Sequence, residues 1–329
     1  MAELENYDDM SVQQKWNILA MVANMYYNSN LTQSQIAERL YTSRSKVSRM
    51  LKEARELGIV RIDIKEPWER NLEYETNMKA LFPLDNIRVV KVKSVGMEDI
   101  ERSIGQVAAY YLDSIIKKDI IVGISWGNTL YRVVKYISAN NKKNIPITVV
   151  PIMGAANTPI PAHDAIDLAK ELAMAYGGEY RYIFAPLFVR SKELKDELLQ
   201  EESIRDCLEL SRKADIILTS VGSVSYKSWK GFLNEETLQG LESIGAVGHI
   251  GGHFFDIEGK ELGLSINSRI IGLSFQEIKD CGQAVCIICN KKKSAAAVGA
   301  VRSGVVNTLI VDEFSAEGMM EIARASSSV

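Results

Sequence analysis

Between Leu31 and Ala54 the apolar positions fall into two short helical stripes with a break between them. Ile36, Ala37 and Leu40 share one face after Thr32, a good N-cap residue. Tyr41 and Thr42 interrupt the rhythm, Ser43 offers a second N-cap, and Val47, Met50, Leu51 and Ala54 resume at helical spacing. Two short helices joined by a tight turn make the crossing that carries the second helix into a DNA major groove. Upstream, Trp16, Ile18, Leu19, Val22, Ala23, Tyr26 and Tyr27 predict a helix over 11–28, the third side of a small core. Downstream, Gly58 is placed to end the second helix, and Ile59-Val60-Arg61-Ile62-Asp63-Ile64 alternates as a strand does, a wing closed by Pro67. The pattern predicts a winged helix-turn-helix domain over 1–66. A charged linker helix then covers 67–85, with Leu72, Met78, Leu81 and Phe82 as its apolar contacts and no Gly or Ser enrichment.

From residue 86 the pattern changes. Apolar runs at 87–92, 119–124, 148–153, 179–184, 216–220, 283–289 and 307–312 predict strands. Helical spacing predicts helices over 100–117, 129–139, 162–176, 191–213, 294–303 and 316–325, and the Gly-rich stretch up to Asp256 reads as irregular. Short apolar strands alternating with amphipathic helices mean a doubly wound, mostly parallel α/β domain over 86–329. In such sheets ligands sit beyond the carboxyl ends of the strands.

Composition adds a contrast. The chain of 329 residues suits two domains, and its net charge is −3. Yet from Thr42 to Arg55 the charged residues are Arg44, Lys46, Arg49, Lys52 and Arg55 against Glu53 alone. A basic helix on an acidic body fits a specific reader of double-stranded DNA better than a generally sticky one, or the solvated face of an ordinary helical domain. Arg44, Ser45, Ser48 and Arg49 lie where base edges are read, while Lys46, Lys52 and Arg55 suit phosphates. Thr32, Gln33 and Ser43, at the helix starts, complete the expected DNA-binding set. No apolar run reaches membrane-spanning length, and MAELENYDDM is acidic and polar rather than a signal peptide, so the expected location is cytoplasmic, with no membrane partner.

Cys286 and Cys289 form a C-x-x-C inside the apolar run AVCIIC; on a strand they point to opposite faces, which favours two buried thiols over zinc or redox chemistry. His249 and His253 are spaced i, i+4, but Ile250-Gly251-Gly252 makes a poor helix, and no metal site or cofactor is expected. Four turns after strands carry groups suited to an anionic, sugar-like ligand. In Gly123-Ile124-Ser125-Trp126-Gly127-Asn128-Thr129 a tight turn opens a helix whose free N–H groups favour an anion, although a purely structural turn remains open. The others are Met153-Gly154-Ala155-Ala156-Asn157, Val221-Gly222-Ser223-Val224 and Asn290-Lys291-Lys292-Lys293-Ser294, where Lys293 can reach an anion and Lys291 and Lys292 read as solvated. Asp256 either binds sugar hydroxyls or caps its own turn. An isomerase or deaminase reading finds no convincing acid–base pair around Asp256, His249 and His253, so no enzymatic activity is expected.

These pieces together resemble the SorC family of bacterial transcriptional regulators. The resemblance runs through YYNSNLTQSQIAERLYTSRSKVSRMLKEARELGIVRI, VGISWGNTLYRVV, VGSV, GHIGGHFFD and KSAAAVGAVRSGVVNTLIVDE. It implies an effector domain related to sugar-phosphate isomerases and glucosamine-phosphate deaminases, a phosphorylated sugar or related metabolite as ligand, control of operator affinity, and a homotetramer. The positions matching the family's pocket are Ser125 to Thr129, Gly154, Gly222, Asp256 and Lys293; with Gly123 they form the expected effector set. Two departures stand out. Met153 occupies the place where some relatives carry an imine-forming lysine, so a Schiff base is not expected there. Cys289 and Asn290 replace the family's paired glycines before the late lysine.

Overall fold

The computed structural model describes residue 7 and residues 10–60, 70–92, 96–141, 143–156, 158–224 and 235–326. The chain divides into two compact units, Met1–Pro67 and Trp68–Val329.

The first unit holds α1 (Val12–Tyr27), α2 (Gln33–Arg39) and α3 (Arg44–Glu56). Each starts on the hydroxyl residue its sequence offers. Ser11 and Thr32 form capping boxes with Gln14 and Gln35, and Ser43 Oγ accepts from the Lys46 N–H. The inner stripes meet in one core, with Leu19, Val22, Ile36, Val47, Met50, Leu51 and Ala54 all buried. At the end of α3, Gly58 turns the chain back with φ 71°, and the Val60 N–H donates to Ala54 O at 3.1 Å. Ile59 and Val60 rest against the core. The rest of the expected wing, Arg61 to Ile64, and Pro67 lie outside the described residues.

The second unit opens with α4 (Leu72–Leu81), which packs Met78 and Phe82 into the core beside β1 (Asn86–Val90). Then follow α5 (Met97–Ile115), β2 (Ile121–Ile124), α6 (Asn128–Asn140), β3 (Thr148–Pro151), α7 (Ala165–Tyr176) and β4 (Glu179–Tyr180). Next come α8 (Lys192–Leu198), α9 (Glu202–Arg212), β5 (Ile216–Thr219), β6 (Gly222–Ser223), α10 (Glu235–Ser243), β7 (Gly248–Ile250) and β8 (His253–Phe255). The chain finishes with α11 (Phe275–Asp280), β9 (Gln283–Ile288), α12 (Ser294–Arg302), β10 (Thr308–Asp312) and α13 (Glu313–Ser326). Among the described residues no helix is long and apolar enough to cross a membrane.

Seven parallel strands form the main sheet in the order β1-β10-β9-β5-β2-β3-β4. Alternate residues feed two cores. Cys286, Ile288, Leu309 and Val311 point into one, and Val285, Ile287, Cys289 and Ile310 into the other. Both faces are covered by helices, which explains the near-continuous apolar runs and makes the sheet doubly wound. The two cysteines of the C-x-x-C lie in different cores, as strand geometry requires, and all four cysteines are buried free thiols.

Strand order runs outward from β2 through β3 to β4 and then returns to β5 on the other side of β2. That reversal opens a crevice at the carboxyl ends of β2 and β5.

Three details differ from the sequence reading. Residues 191–213 form two helices, broken near Gln200, so that Leu198 and Leu199 as well as Ile204, Cys207 and Leu208 pack around Ile183, Val189 and Ile271. The strand expected over 179–184 pairs only at Glu179 and Tyr180; beyond it, Ala185 and Leu187 exchange backbone hydrogen bonds with Ala155 instead (2.8 Å each). The stretch read as irregular contains α10 and a small antiparallel sheet, β6-β7-β8, whose strands of two or three residues are too short for a period to register.

Candidate functional site

On the first unit, α3 turns its apolar stripe inward and leaves Arg44, Ser45, Ser48, Arg49 and Lys52 exposed on the other side. Arg44 and Arg49 enter no ion pair among the described residues, whereas Lys52 pairs with Glu56 at 3.6 Å. The Lys46 ammonium sits 5.9 Å from the centre of the Tyr7 ring. The hydroxyls of Thr32 and Ser43 are engaged in capping, from Gln35 N at 3.3 Å and Lys46 N at 3.2 Å. Thr32, Gln33 and Arg44 share an open cleft with Tyr26 and Tyr27, which the sequence marked only as apolar positions of the helix over 11–28, and with Asn30.

In the second unit the crevice at the strand reversal deepens into a cavity of about 430 Å³. Its floor is the turn after β2. Ser125 is held by its N–H on Leu218 O (3.0 Å) and its Oγ on Thr219 Oγ1 (3.2 Å). Gly127 then adopts φ 131° and ψ 161°, a conformation closed to residues with a Cβ, and starts α6. Among the described residues no side chain caps α6, and its first residues, Asn128 and Thr129, line the cavity, so the positive end of the helix dipole lies at its wall. Thr129 is buried with Oγ1 3.7 Å from Cys289 Sγ.

The facing wall comes from the turns after β5 and β9. Ser220, Val221 and Gly222 supply one part, and Cys289, Asn290 and Lys293 the other. Asn290 answers the question raised by the missing glycines: it holds φ 100°, its N–H donates to Asp312 Oδ2 (3.2 Å), and its Oδ1 accepts from Lys292 N (3.0 Å). Asparagine tolerates positive φ better than most side-chain-bearing residues, which suits it to this position.

Lys293 is the only lysine or arginine among the lining residues described. Its ammonium makes no hydrogen bond or ion pair among the described residues, and burial pushes its pKa below the usual lysine value, opposed by the charges available at Cys289, Cys286 and Glu101. Lys291 and Lys292 are exposed, and Lys291 is tied to Glu317 and Glu321 at 3.2 and 3.5 Å. His249, on β7, also lines the cavity; burial first and the Lys293 charge second push its pKa down to about 3, which keeps the ring neutral. His163 stacks near Tyr131, accepts from the Gly127 N–H through its carbonyl (2.9 Å), and has its pKa lowered by burial and by Arg132.

Of the expected effector residues, the cavity brings together Ser125, Trp126, Gly127, Asn128, Thr129, Gly222 and Lys293. Gly123, Gly154 and Asp256 stand outside its lining. Gly123 is a β2 residue packed between Ile152 and Ile217. Gly154 lets the chain pass against the carbonyls of Ala185 and Pro186. Asp256 caps its own turn, Oδ1 accepting from Glu258 N (3.0 Å) and Lys260 N (2.9 Å). Asn157 lies outside the described residues. The cavity also contains residues the sequence did not nominate, notably Glu101, His163, Ser220 and Met97, together with His249, which the sequence reading weighed as a metal ligand and as part of an acid–base pair and set aside in both roles. His253 lies elsewhere, between Glu261 (2.8 Å) and Leu273 O (3.1 Å).

Comparison with known proteins places this geometry. Residues 66–321 match the family model described as "Putative sugar-binding domain", and residues 13–61 match a winged helix-turn-helix DNA-binding model. The chain is 27% identical over 310 residues to the deoxyribonucleoside regulator of Bacillus subtilis, covering 93% of this chain and 98% of that one. It is 28% identical over 312 residues to the transcriptional regulator LsrR of Escherichia coli K12, covering 92% and 94%. Its fold matches the crystal structure of the full-length sorbitol operon regulator SorC from Klebsiella pneumoniae with a TM-score of 0.73 and 23% identity, over 92% of this chain and 98% of that one.

Proposed function

This chain belongs to the sugar-binding domain family of SorC-type winged helix-turn-helix proteins, and on that premise we propose that it is a transcriptional regulator whose operator affinity is set by a phosphorylated sugar or polyol bound in the cavity. The observation that carries the effector half is Lys293, half-buried in the wall of a cavity of mixed apolar and polar lining that the start of α6 also borders. Desolvation holds this ammonium below the usual lysine pKa even with Glu101 as an opposing charge, and an anion brought by the ligand would offset that desolvation further. Helix N-termini bind phosphate through their first-turn N–H groups. The hydroxyls of Ser125, Thr129 and Ser220 suit a hydroxylated ligand body.

The DNA half rests on Arg44, Ser45, Ser48 and Arg49 for base edges and on Lys46 and Lys52 for phosphates, with Thr32, Gln33 and Ser43 at the helix starts. A tetramer, the assembly the resemblance implies, holds two half-sites at once and gains from their linkage. Ligand binding biases one subunit arrangement and thereby the spacing of the DNA modules, for which a few kcal/mol of differential affinity is enough.

The test is a thermal-shift panel of free and phosphorylated sugars and polyols on the full-length protein. At least one phosphorylated compound is expected to raise the Tm while its unphosphorylated parent does not. Stabilisation by the free sugar alone, or by no compound, contradicts the proposal.

A further inference from the structure

The cavity has a second pole that the anion-binding reading leaves unexplained. Glu101 is the only acidic residue among the lining residues described. It lies on α5, whose first turn is crowded with charge at Glu98, Asp99 and Arg102, but its side chain is only 13% exposed. Two partners from α6 fix it there. Asn128 Nδ2 donates to Oε1 at 2.7 Å, and Arg132 Nε donates to Oε2 at 3.1 Å. The helices themselves meet closely at this point, since a Cβ on Gly105 would come within 3.3 Å of Arg132 O.

Each carboxylate oxygen can accept two hydrogen bonds, and here each accepts one from the protein. The remaining acceptor capacity belongs to a side chain that lines the cavity and cannot swing away. Arg132 already offsets the negative charge, so the complement sought is a neutral donor rather than an ammonium group. Across the cavity, Ser220 Oγ is enclosed and has no hydrogen-bond partner among the described residues, which marks another polar group waiting for a ligand.

We infer that Glu101 binds the hydroxyl groups of the effector and selects a polyhydroxylated body over an apolar one, while Lys293 and the start of α6 take the anion. The inference rests on the reading that this cavity holds the effector. It assigns the two ends of that ligand to two different walls, and it makes Glu101 the residue that distinguishes a sugar or polyol phosphate from an alkyl phosphate.

The test is calorimetric titration of full-length protein with three probes: inorganic phosphate, a hexitol 6-phosphate, and n-hexyl phosphate, which has the same carbon count and no hydroxyls. Wild type is expected to prefer the hexitol phosphate over hexyl phosphate. Glu101→Gln is expected to lose roughly tenfold in affinity for the hexitol phosphate, the scale of charged hydrogen bonds, with the other two probes unchanged. If Glu101→Gln retains the wild-type preference, or weakens all three probes equally as a merely structural residue would, the inference is overturned. If wild type binds none of the three, the anion-binding reading fails first, and this one with it.

Discussion

Gly222 and His249 face each other across the β6–β7 pairing so closely that a Cβ on Gly222 would come 1.7 Å from the His249 Nε2. The absence of a side chain on one strand is therefore what seats the ring of the other in the cavity wall. Gly222→Ala must push His249 toward the cavity or part the strands. We expect a loss of about 1–3 kcal/mol, the usual cost of overpacking, together with loss of effector binding. Denaturant melts and ligand titration of the same variant check both, and a fully stable variant with unchanged affinity contradicts the geometry.

Lys293 should separate stability from binding. Lys293→Met replaces a half-buried ammonium, whose charge burial disfavours, by an apolar chain of similar length. The free protein is expected to gain stability, while its affinity for phosphorylated ligands falls at least tenfold. Urea melts without ligand measure the first change. A variant less stable than wild type in the absence of ligand would mean that the ammonium has a structural partner.

His249 imposes a pH dependence with a definite sign. Unfolded, the ring takes up a proton at its ordinary pKa of 6.5; folded, it refuses one until about 3. Between these values the unfolded chain binds more protons, so stability rises with pH across the window and is lost as pH falls from about 6.5 toward 3. His249→Gln removes this contribution and is expected to flatten the acid limb of stability against pH. An acid limb as steep as that of wild type would show that His249 is not the group responsible.

On the DNA side, Arg44→Ala and Arg49→Ala are expected to abolish specific operator binding in gel shifts without changing the ligand-induced rise in Tm. Ser43→Ala, which removes the cap of α3, should lower the stability of the N-terminal unit by about 1 kcal/mol and weaken DNA binding only through that loss. Gel shifts unchanged by either arginine substitution would move the recognition surface off α3.

The sequence disclosed those features whose signal is local. Thr32 and Ser43 cap the helices they precede, and the apolar runs at 216–220, 283–289 and 307–312 became buried parallel strands. The turn at Ser125–Thr129, Gly222 and Lys293 stood out because small polar residues follow an apolar run where ligands collect. Glu101 did not, since one acid among Glu98, Asp99 and Arg102 on a helix start is indistinguishable from a solvated face until α6 is docked on it. Asp256 took the second of the two readings its turn left open, capping rather than lining the cavity. A lone acid in a Gly-rich turn looked available, but two backbone N–H groups occupy the carboxylate oxygen Oδ1. Gly154 was visible as a glycine, but its purpose is a close chain crossing with Ala185 and Pro186, which only the tertiary fold defines.

The account turns on coupling between the Lys293 cavity and the α3 surface. Its most direct test is the fluorescence anisotropy of an operator duplex titrated with wild type and with Lys293→Met, each with and without the phosphorylated sugar that stabilises wild type. The expected result is equal operator affinity for both proteins without ligand, and a ligand-induced change of at least fivefold in wild type alone, the lower range of allosteric coupling at about 1 kcal/mol. An equal ligand response in Lys293→Met, or no response in wild type, would contradict it.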